Sequence, residues 1–154
     1  MKKSTFYSTL SIVSLLFVLA MSCSKTNTST TSPTPTATTK KFTWKENSDT
    51  TVHIADTAYL TSQYNTIIAQ QKSGTTYKTI FEINLSASTA GTYALNSANV
   101  ITYIVNNSYF IPTSGSVVIT SNAGGKASGT FQGTGTTAGG VSSVTGSFTD
   151  ILVK

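Results

Sequence analysis

From Phe42 onward, the chain alternates apolar and polar positions in short segments that are separated by Gly, Ser, Asn and Asp. A period of two is typical of strands with one buried face, and no window shows the 3.6-residue period of an amphipathic helix. The pattern predicts ten strands, at 43–46, 52–54, 58–61, 66–71, 76–85, 92–95, 100–105, 116–121, 127–132 and 143–153. We therefore expect an all-β domain, either an antiparallel β-sandwich or a small barrel-like sheet of about 8–10 short strands.

The clearest strand is 76–85, TYKTIFEINL. One face carries Tyr77, Thr79, Phe81, Ile83 and Leu85 and is predicted to face the core. The other face carries Lys78, Glu82 and Asn84, with Ile80 as an exception. Gly74 lies in the preceding turn and can adopt positive φ, so 66–71 and 76–85 are predicted to form a hairpin.

A near-repeat, SGTF at 128–131 and TGSF at 145–148, lies close to the C-terminus. We expect two paired strands, each with a Gly over which a large neighbouring side chain lies, so that Phe131 and Phe148 fill the core. The segment GTGTTAGG at 133–140 lies between them and is interpreted as a flexible hairpin loop. Pro112 indicates a loop or an edge next to 107–110.

The first 23 residues have the layout of an export signal, with Lys2 and Lys3 followed by an apolar run that ends at Cys23. Cys23 is the only cysteine, so a disulfide within one chain is excluded. The run is shorter than the about 20 apolar residues that a spanning helix needs. This arrangement resembles a bacterial lipoprotein signal, which implies diacylation of the Cys23 sulfur and cleavage after Ser22.

Residues 24–41 contain no aromatic or branched aliphatic side chain, so they cannot bury enough apolar area to offset the entropy of ordering. We expect a disordered tether that spans roughly 25 Å as a coil and about 55 Å in polyproline form. The predicted organisation is a signal peptide at 1–22, a lipidated cysteine and Ser/Thr/Pro tether at 23–41, and a β-domain at 42–154.

The formal charge of +5 does not come from the predicted domain. From Phe42 onward, five lysines are matched by five acidic residues: Lys45, Lys72, Lys78, Lys126 and Lys154 against Glu46, Asp49, Asp56, Glu82 and Asp150. The chain also contains no arginine, the residue that reads phosphate and guanine in two-point contacts. We therefore expect no nucleic-acid partner.

Few residues are candidates for catalysis or metal binding. His53 is the only histidine, and alternation with Val52 and Ile54 predicts that it faces solvent. Glu46, Asp49 and Asp56 supply oxygens of the kind that calcium binds, but their spacing matches no calcium loop. We expect no catalytic residue, no metal and no cofactor.

The aromatic side chains are the strongest indication of a binding surface. Trp44, Tyr64 and Tyr109 flank predicted loops, and we expect them to be exposed, where they would stack on sugars or on a partner protein. Asp49-Thr50-Thr51 and Asp56-Thr57-Ala58 also resemble a short bacterial O-glycosylation acceptor, which implies modification at Thr50 or Thr57.

Several short motifs recur in an order that resembles a family of small, uncharacterised Bacteroidota-type lipoprotein domains. They are ADTAYL at 55–60, FEINL at 81–85, AGTYAL at 90–95, GSVVIT at 115–120, SGTF at 128–131 and GSF at 146–148. The resemblance implies a β fold and lipidation, and it carries no known activity or functional residue.

Together these patterns predict a lipoprotein that is anchored to a bilayer through acylated Cys23 and located in the cell envelope, with the outer membrane favoured and the periplasmic or surface face left open. The expected role is a non-enzymatic interaction or accessory module whose partner is an envelope protein or a glycan. Two alternatives are a glycan-binding module that uses exposed aromatics, and a small envelope hydrolase or hydrolase inhibitor.

Overall fold

A computed structural model describes residues 41–154, in which all regular secondary structure is β. The strands are β1 (Phe42–Glu46), β2 (His53–Ile54), β3 (Thr57–Thr61), β4 (Thr66–Ser73), β5 (Thr76–Asn84), β6 (Gly91–Ala94), β7 (Val100–Val105), β8 (Ser108–Phe110), β9 (Ser114–Ala123), β10 (Lys126–Ala138) and β11 (Val141–Val153). The all-β prediction is confirmed. This part of the chain has no helix long and apolar enough to cross a membrane. The signal peptide, Cys23 and all but the last residue of the tether lie outside the described residues.

All ten predicted strands are present, and β8 is an eleventh. The prediction of a flexible loop at 133–140 is wrong, because β10 continues through most of it and only Gly139 and Gly140 form the turn, with φ of 60° and 90°. The first part of this extension is paired on both sides, since Thr134 lies opposite Ser114 of β9 and Ser143 of β11. Pairing with two neighbours overrides the loop-like Gly and Thr composition.

The strands form one sheet in the order β6-β9-β10-β11-β3-β4-β5-β7-β8, with β1 paired to β11 and β2 paired to β1. All pairs are antiparallel except β11 with β3. The same side of β11 pairs with β1 at 144–148 and with β3 at 152–153. Asp150, with φ of 49°, lies at a register shift between these two segments. The sheet therefore branches where β11 is bulged.

The two branches pack against each other around aromatic side chains. Phe42 of β1 lies 5.4 Å from Phe81 of β5 and 5.2 Å from Phe131 of β10, measured between ring centroids. Phe81 and Phe131 are 5.3 Å apart. The sheet consequently folds over on itself, and β1 with β2 faces β5 with β7 across the core.

The hairpin of β4 and β5 is confirmed, with Gly74 at φ of 63° in its turn. A register shift leaves Ile80 as an extra residue of β5, between the pairs Gln70 with Thr79 and Ala69 with Phe81. Because a bulge reverses the alternation, Ile80 is buried although it lies on the polar face in the sequence pattern. Tyr77 lies beyond the bulge and is exposed, so its predicted place in the core is wrong.

The near-repeat of β10 and β11 forms an interlocked pair. In the register of the hairpin, Gly129 lies opposite Phe148, and Phe131 lies opposite Gly146. A Cβ atom added at Gly129 would collide with the ring of Phe148, and one added at Gly146 would collide with the ring of Phe131. Each phenyl ring therefore lies over the glycine of the other strand, as predicted, and both rings are buried.

Candidate functional site

A cleft of about 330 Å³ lies where β1 and β2 face β5 and β7. No backbone hydrogen bonds join these two pairs of strands within residues 41–154, so their side chains meet directly. The walls include Trp44, Glu46, His53, Gln71, Tyr103 and Asn106. A second cleft of about 380 Å³ lies on the outer face of β1 and β11, but Lys45 is its only titratable residue. The first cleft is therefore the candidate site.

The side chains of Trp44, Glu46 and Tyr103 form a hydrogen-bonded cluster at the base of the cleft. Trp44 Nε1 donates to the Tyr103 hydroxyl at 3.2 Å and to Glu46 Oε1 at 3.4 Å. The Tyr103 hydroxyl in turn donates a short hydrogen bond to Glu46 Oε1. Since Trp44 and Glu46 belong to β1 and Tyr103 to β7, the two bonds made by the Tyr103 hydroxyl connect the two branches of the sheet.

His53 completes the cluster. Its imidazole stacks on Trp44 with 5.1 Å between ring centroids and 18° between planes, and Nε2 lies 3.7 Å from Glu46 Oε1. The prediction that His53 faces solvent is correct only in part, since its side chain is 35% exposed but one face of its ring covers Trp44. The reason is that β2 pairs with β1, which places His53 directly opposite Trp44 on the inner face.

The electrostatics of the cluster centre on Glu46. Burial, followed by the hydrogen bond to Glu46, raises the pKa of Tyr103, so its phenol remains protonated and acts as a donor. Glu46 Oε2 accepts no hydrogen bond from residues 41–154. Every fully buried side-chain nitrogen or oxygen of these residues has a partner, so Oε2 is not fully buried, and the Glu46 side chain is 21% exposed. The cleft thus offers one carboxylate oxygen to a ligand.

The cluster does not assemble a hydrolytic triad. His53 and Glu46 converge as a base and an acid would, but the cleft walls within residues 41–154 contain no serine, threonine or cysteine to act as a nucleophile. The same part of the chain contains no group of three His, Cys, Asp or Glu side chains placed to hold a metal ion. Asp49 and Asp56 instead accept hydrogen bonds from the backbone amides of Thr51 and Lys72.

No protein-family model, curated protein or solved structure matches this chain. The resemblance to a Bacteroidota-type lipoprotein family therefore stays a prediction, and the site is interpreted from its own geometry.

The structure separates the three aromatics that the sequence pattern grouped as exposed. Tyr64 and Tyr109 are exposed, at 68% and 65% of their surfaces. Trp44 is 2% exposed, so the prediction of its exposure is wrong. The ring contacts in residues 41–154 join Phe42, Trp44, His53, Phe81, Tyr103 and Phe131. Neither Tyr64 nor Tyr109 stacks on another described ring, and their contact with a ligand stays a prediction.

Sequence reasoning assigned no binding role to Tyr103, Gln71 or Asn106, and it considered Glu46 only as a calcium ligand. A signal for the burial of Trp44 was present, because Phe42 and Trp44 alternate with Thr43 and Lys45. No local signal pairs Glu46 with Tyr103, which lies 57 residues further along the chain.

Proposed function

We propose that the protein is a lipoprotein of the cell envelope, anchored to a membrane by acylated Cys23, with the outer membrane as the favoured location. We further propose that its β-domain is a non-enzymatic interaction or accessory module. The single observation that carries the anchor is the position of the only cysteine, at the end of an apolar run that follows two lysines.

The start of the folded domain supports this organisation. The backbone amide of Thr149 donates to the carbonyl oxygen of Lys41 at 2.8 Å, so the ladder between β1 and β11 begins at the first described residue. The Ser/Thr/Pro-rich segment 24–41 thus ends where the ladder begins. A domain that begins directly after such a segment is the arrangement expected of a tethered module.

The use of the polar groups in the cleft supports a non-enzymatic role. Oε1 of Glu46 accepts hydrogen bonds from Trp44 and Tyr103, and the bond from Tyr103, together with the one that Trp44 donates to the Tyr103 hydroxyl, joins the two branches of the sheet. The raised pKa of Tyr103 makes this phenol a poor base at neutral pH. These groups serve to close the fold and to shape a cleft.

The anchor is tested by expressing the full chain in a Gram-negative host with an alkyne analogue of palmitate. We expect the native protein to take up the label, to fractionate with membranes and to begin at Cys23 by mass spectrometry. The variant Cys23→Ser should lose both the label and the membrane association, whereas Ser22→Ala should keep both because alanine is also small. A native protein with an intact N-terminus and a free thiol would refute the anchor.

The module is tested with the same labelled protein by affinity capture from envelope extract after mild cross-linking. We expect a specific envelope component to be enriched with the native chain. Hydrolysis of peptide, ester or glycoside substrates by the purified chain, lost on Glu46→Gln, would contradict the non-enzymatic role.

A further inference from the structure

The cleft between β1 and β7 offers a mixed set of free hydrogen-bonding groups. Glu46 Oε2 is an acceptor. Asn106 uses its amide Nδ2 to donate to the carbonyl oxygen of Gly139 at 3.0 Å, which leaves its own carbonyl oxygen as an acceptor. Gln71 is exposed, and its side-chain amide can both donate and accept. The walls of the cleft therefore contain both hydrogen-bond donors and hydrogen-bond acceptors.

The charge of the cleft restricts the ligand further. Glu46 carries the only fixed charge among the wall residues, and His53 is the only other titratable group there besides the protonated Tyr103. A lone carboxylate repels phosphates, carboxylates and acidic sugars. Ile80 and Val105 add apolar surface beside it. The ligand that fits is uncharged, with both apolar and hydrogen-bonding surface.

His53 supplies a ring surface for such a ligand. One face of the imidazole covers Trp44, so the exposed 35% of the side chain belongs to the other face and the edge. The apolar face of a sugar ring packs on flat side chains of this kind, while its hydroxyls bond to polar groups around the rim. The volume of about 330 Å³ is at the small end of the range for ligand pockets.

We propose that this cleft binds a neutral saccharide, with Glu46 Oε2, Gln71 and Asn106 as its hydrogen-bonding groups and His53 as its stacking surface. A hydroxyl both donates and accepts, so a polyol matches the mixed set of groups, whereas an ammonium ion only donates and would leave the donors of Gln71 and His53 unmatched. The site differs from the exposed Tyr64 and Tyr109, and it goes beyond the role proposed above. Because the measurement needs no membrane, its outcome is independent of the anchor.

The test uses the full chain, purified in detergent, first on an array of neutral mono- and oligosaccharides of glucose, galactose, mannose and N-acetylglucosamine. The best binder is then titrated by calorimetry against the native chain and against Gln71→Ala and Glu46→Gln. The matched controls are Gln132→Ala and Glu82→Gln, which change exposed residues of the same types outside the cleft walls. Putrescine serves as the amine probe.

We expect saccharide binding that weakens about tenfold or more in Gln71→Ala and Glu46→Gln, and by less than about twofold in both controls. The Gln71 side chain is exposed, so its variant should fold normally and separates loss of binding from loss of folding. Three outcomes would overturn the proposal. They are no retained saccharide at millimolar concentration, equal weakening in the control variants, and binding of putrescine in preference to any saccharide.

Discussion

The hairpin of β10 and β11 and the cluster of Trp44, Glu46, His53 and Tyr103 bury aromatic rings in opposite ways. In the hairpin, Phe131 and Phe148 each lie over a glycine of the other strand, and no polar side chain takes part. In the cluster, His53 stacks on Trp44, Tyr103 meets Trp44 edge to face, and the polar atoms of the three rings converge on one carboxylate oxygen.

This difference shows which region can be changed without loss of the fold. The hairpin depends on close steric fit, in which one added carbon atom has no space. The cluster depends on polar atoms that line a cleft, and the partly exposed Glu46 can bond to water when one protein partner is removed. We therefore expect substitutions in the hairpin to affect stability most, and substitutions in the cluster to leave a folded protein with altered properties.

The largest expected effect is that of Gly146→Ala. The new Cβ would collide with the ring of Phe131 and with the carbonyl oxygen of Thr43, so the variant should lose about 3 kcal/mol of stability or more. The matched control is Gly91→Ala, where the added Cβ meets only Tyr93 atoms at ordinary contact distance and stability should change by less than about 0.5 kcal/mol. Urea unfolding measures both, and equal losses would contradict the steric account.

The next effect is that of Tyr103→Phe. Removal of the hydroxyl deletes a donor to the Glu46 carboxylate and should cost about 2 kcal/mol in the free energy of unfolding. Tyr93→Phe is the control, because the Tyr93 hydroxyl donates to the neutral carbonyl oxygen of Thr89 in an exposed position. It should cost about 0.5 kcal/mol. If Tyr103→Phe lost no more stability than Tyr93→Phe, the hydrogen bond from Tyr103 to Glu46 would make no special contribution to the free energy of unfolding.

The same tyrosine predicts how stability changes in alkali. Burial raises the pKa of Tyr103, so the native state holds the phenolic proton more tightly than the unfolded state does. Its contribution is complete below pH of about 10, the range in which an unfolded tyrosine is protonated, and it is lost as the pH rises further. Urea midpoints from pH 8 to 11 should fall more steeply for the native chain than for Tyr103→Phe. If the urea midpoints of the two chains fell in parallel with pH, the raised pKa of Tyr103 would not be the cause of the loss of stability in alkali.

The smallest effect is expected for His53→Ala. Loss of the stack on Trp44 should cost about 1 kcal/mol or less, since the imidazole is partly exposed. Trp44 is the only tryptophan, so its fluorescence should shift to longer wavelength as water reaches the indole. Ile54→Ala, at the next position of β2, should leave the emission maximum unchanged. An unchanged maximum in His53→Ala would show that the imidazole does not shield Trp44.

Periodicity located ten strands because most of them have one buried face, which requires apolar residues at every second position. It missed β8, which has three residues, and it ended β10 too early, because pairing partners rather than local composition hold Gly133, Thr134 and Ala138 in the sheet. It also could not show the bulge at Ile80, which depends on the register between β4 and β5.

The candidate site could be predicted far less well than the strands. His53 and Trp44 share a face only because β2 turns back on β1, and Tyr103 reaches Glu46 only because the branches of the sheet fold together. Both facts depend on pairing between distant segments, which one sequence does not reveal. Alternation with Val52 and Ile54 predicted that His53 faces solvent, and the position of Trp44 beside a predicted loop favoured its exposure, whereas both side chains line the cleft.

The pairing of β1 with β11 sets the time at which the chain can fold during its synthesis. The side chains of Thr43 in β1 and Ser147 in β11 are hydrogen-bonded across 104 positions of the chain. β1 therefore cannot pair with β11 until β11 has left the ribosome. Long-range pairing of this kind slows folding, because a large loop must close before any contact stabilises it. The hairpins formed by neighbouring strands do not depend on this pairing, so the core around Phe42 is the part of the domain that forms only after β11 has been synthesised.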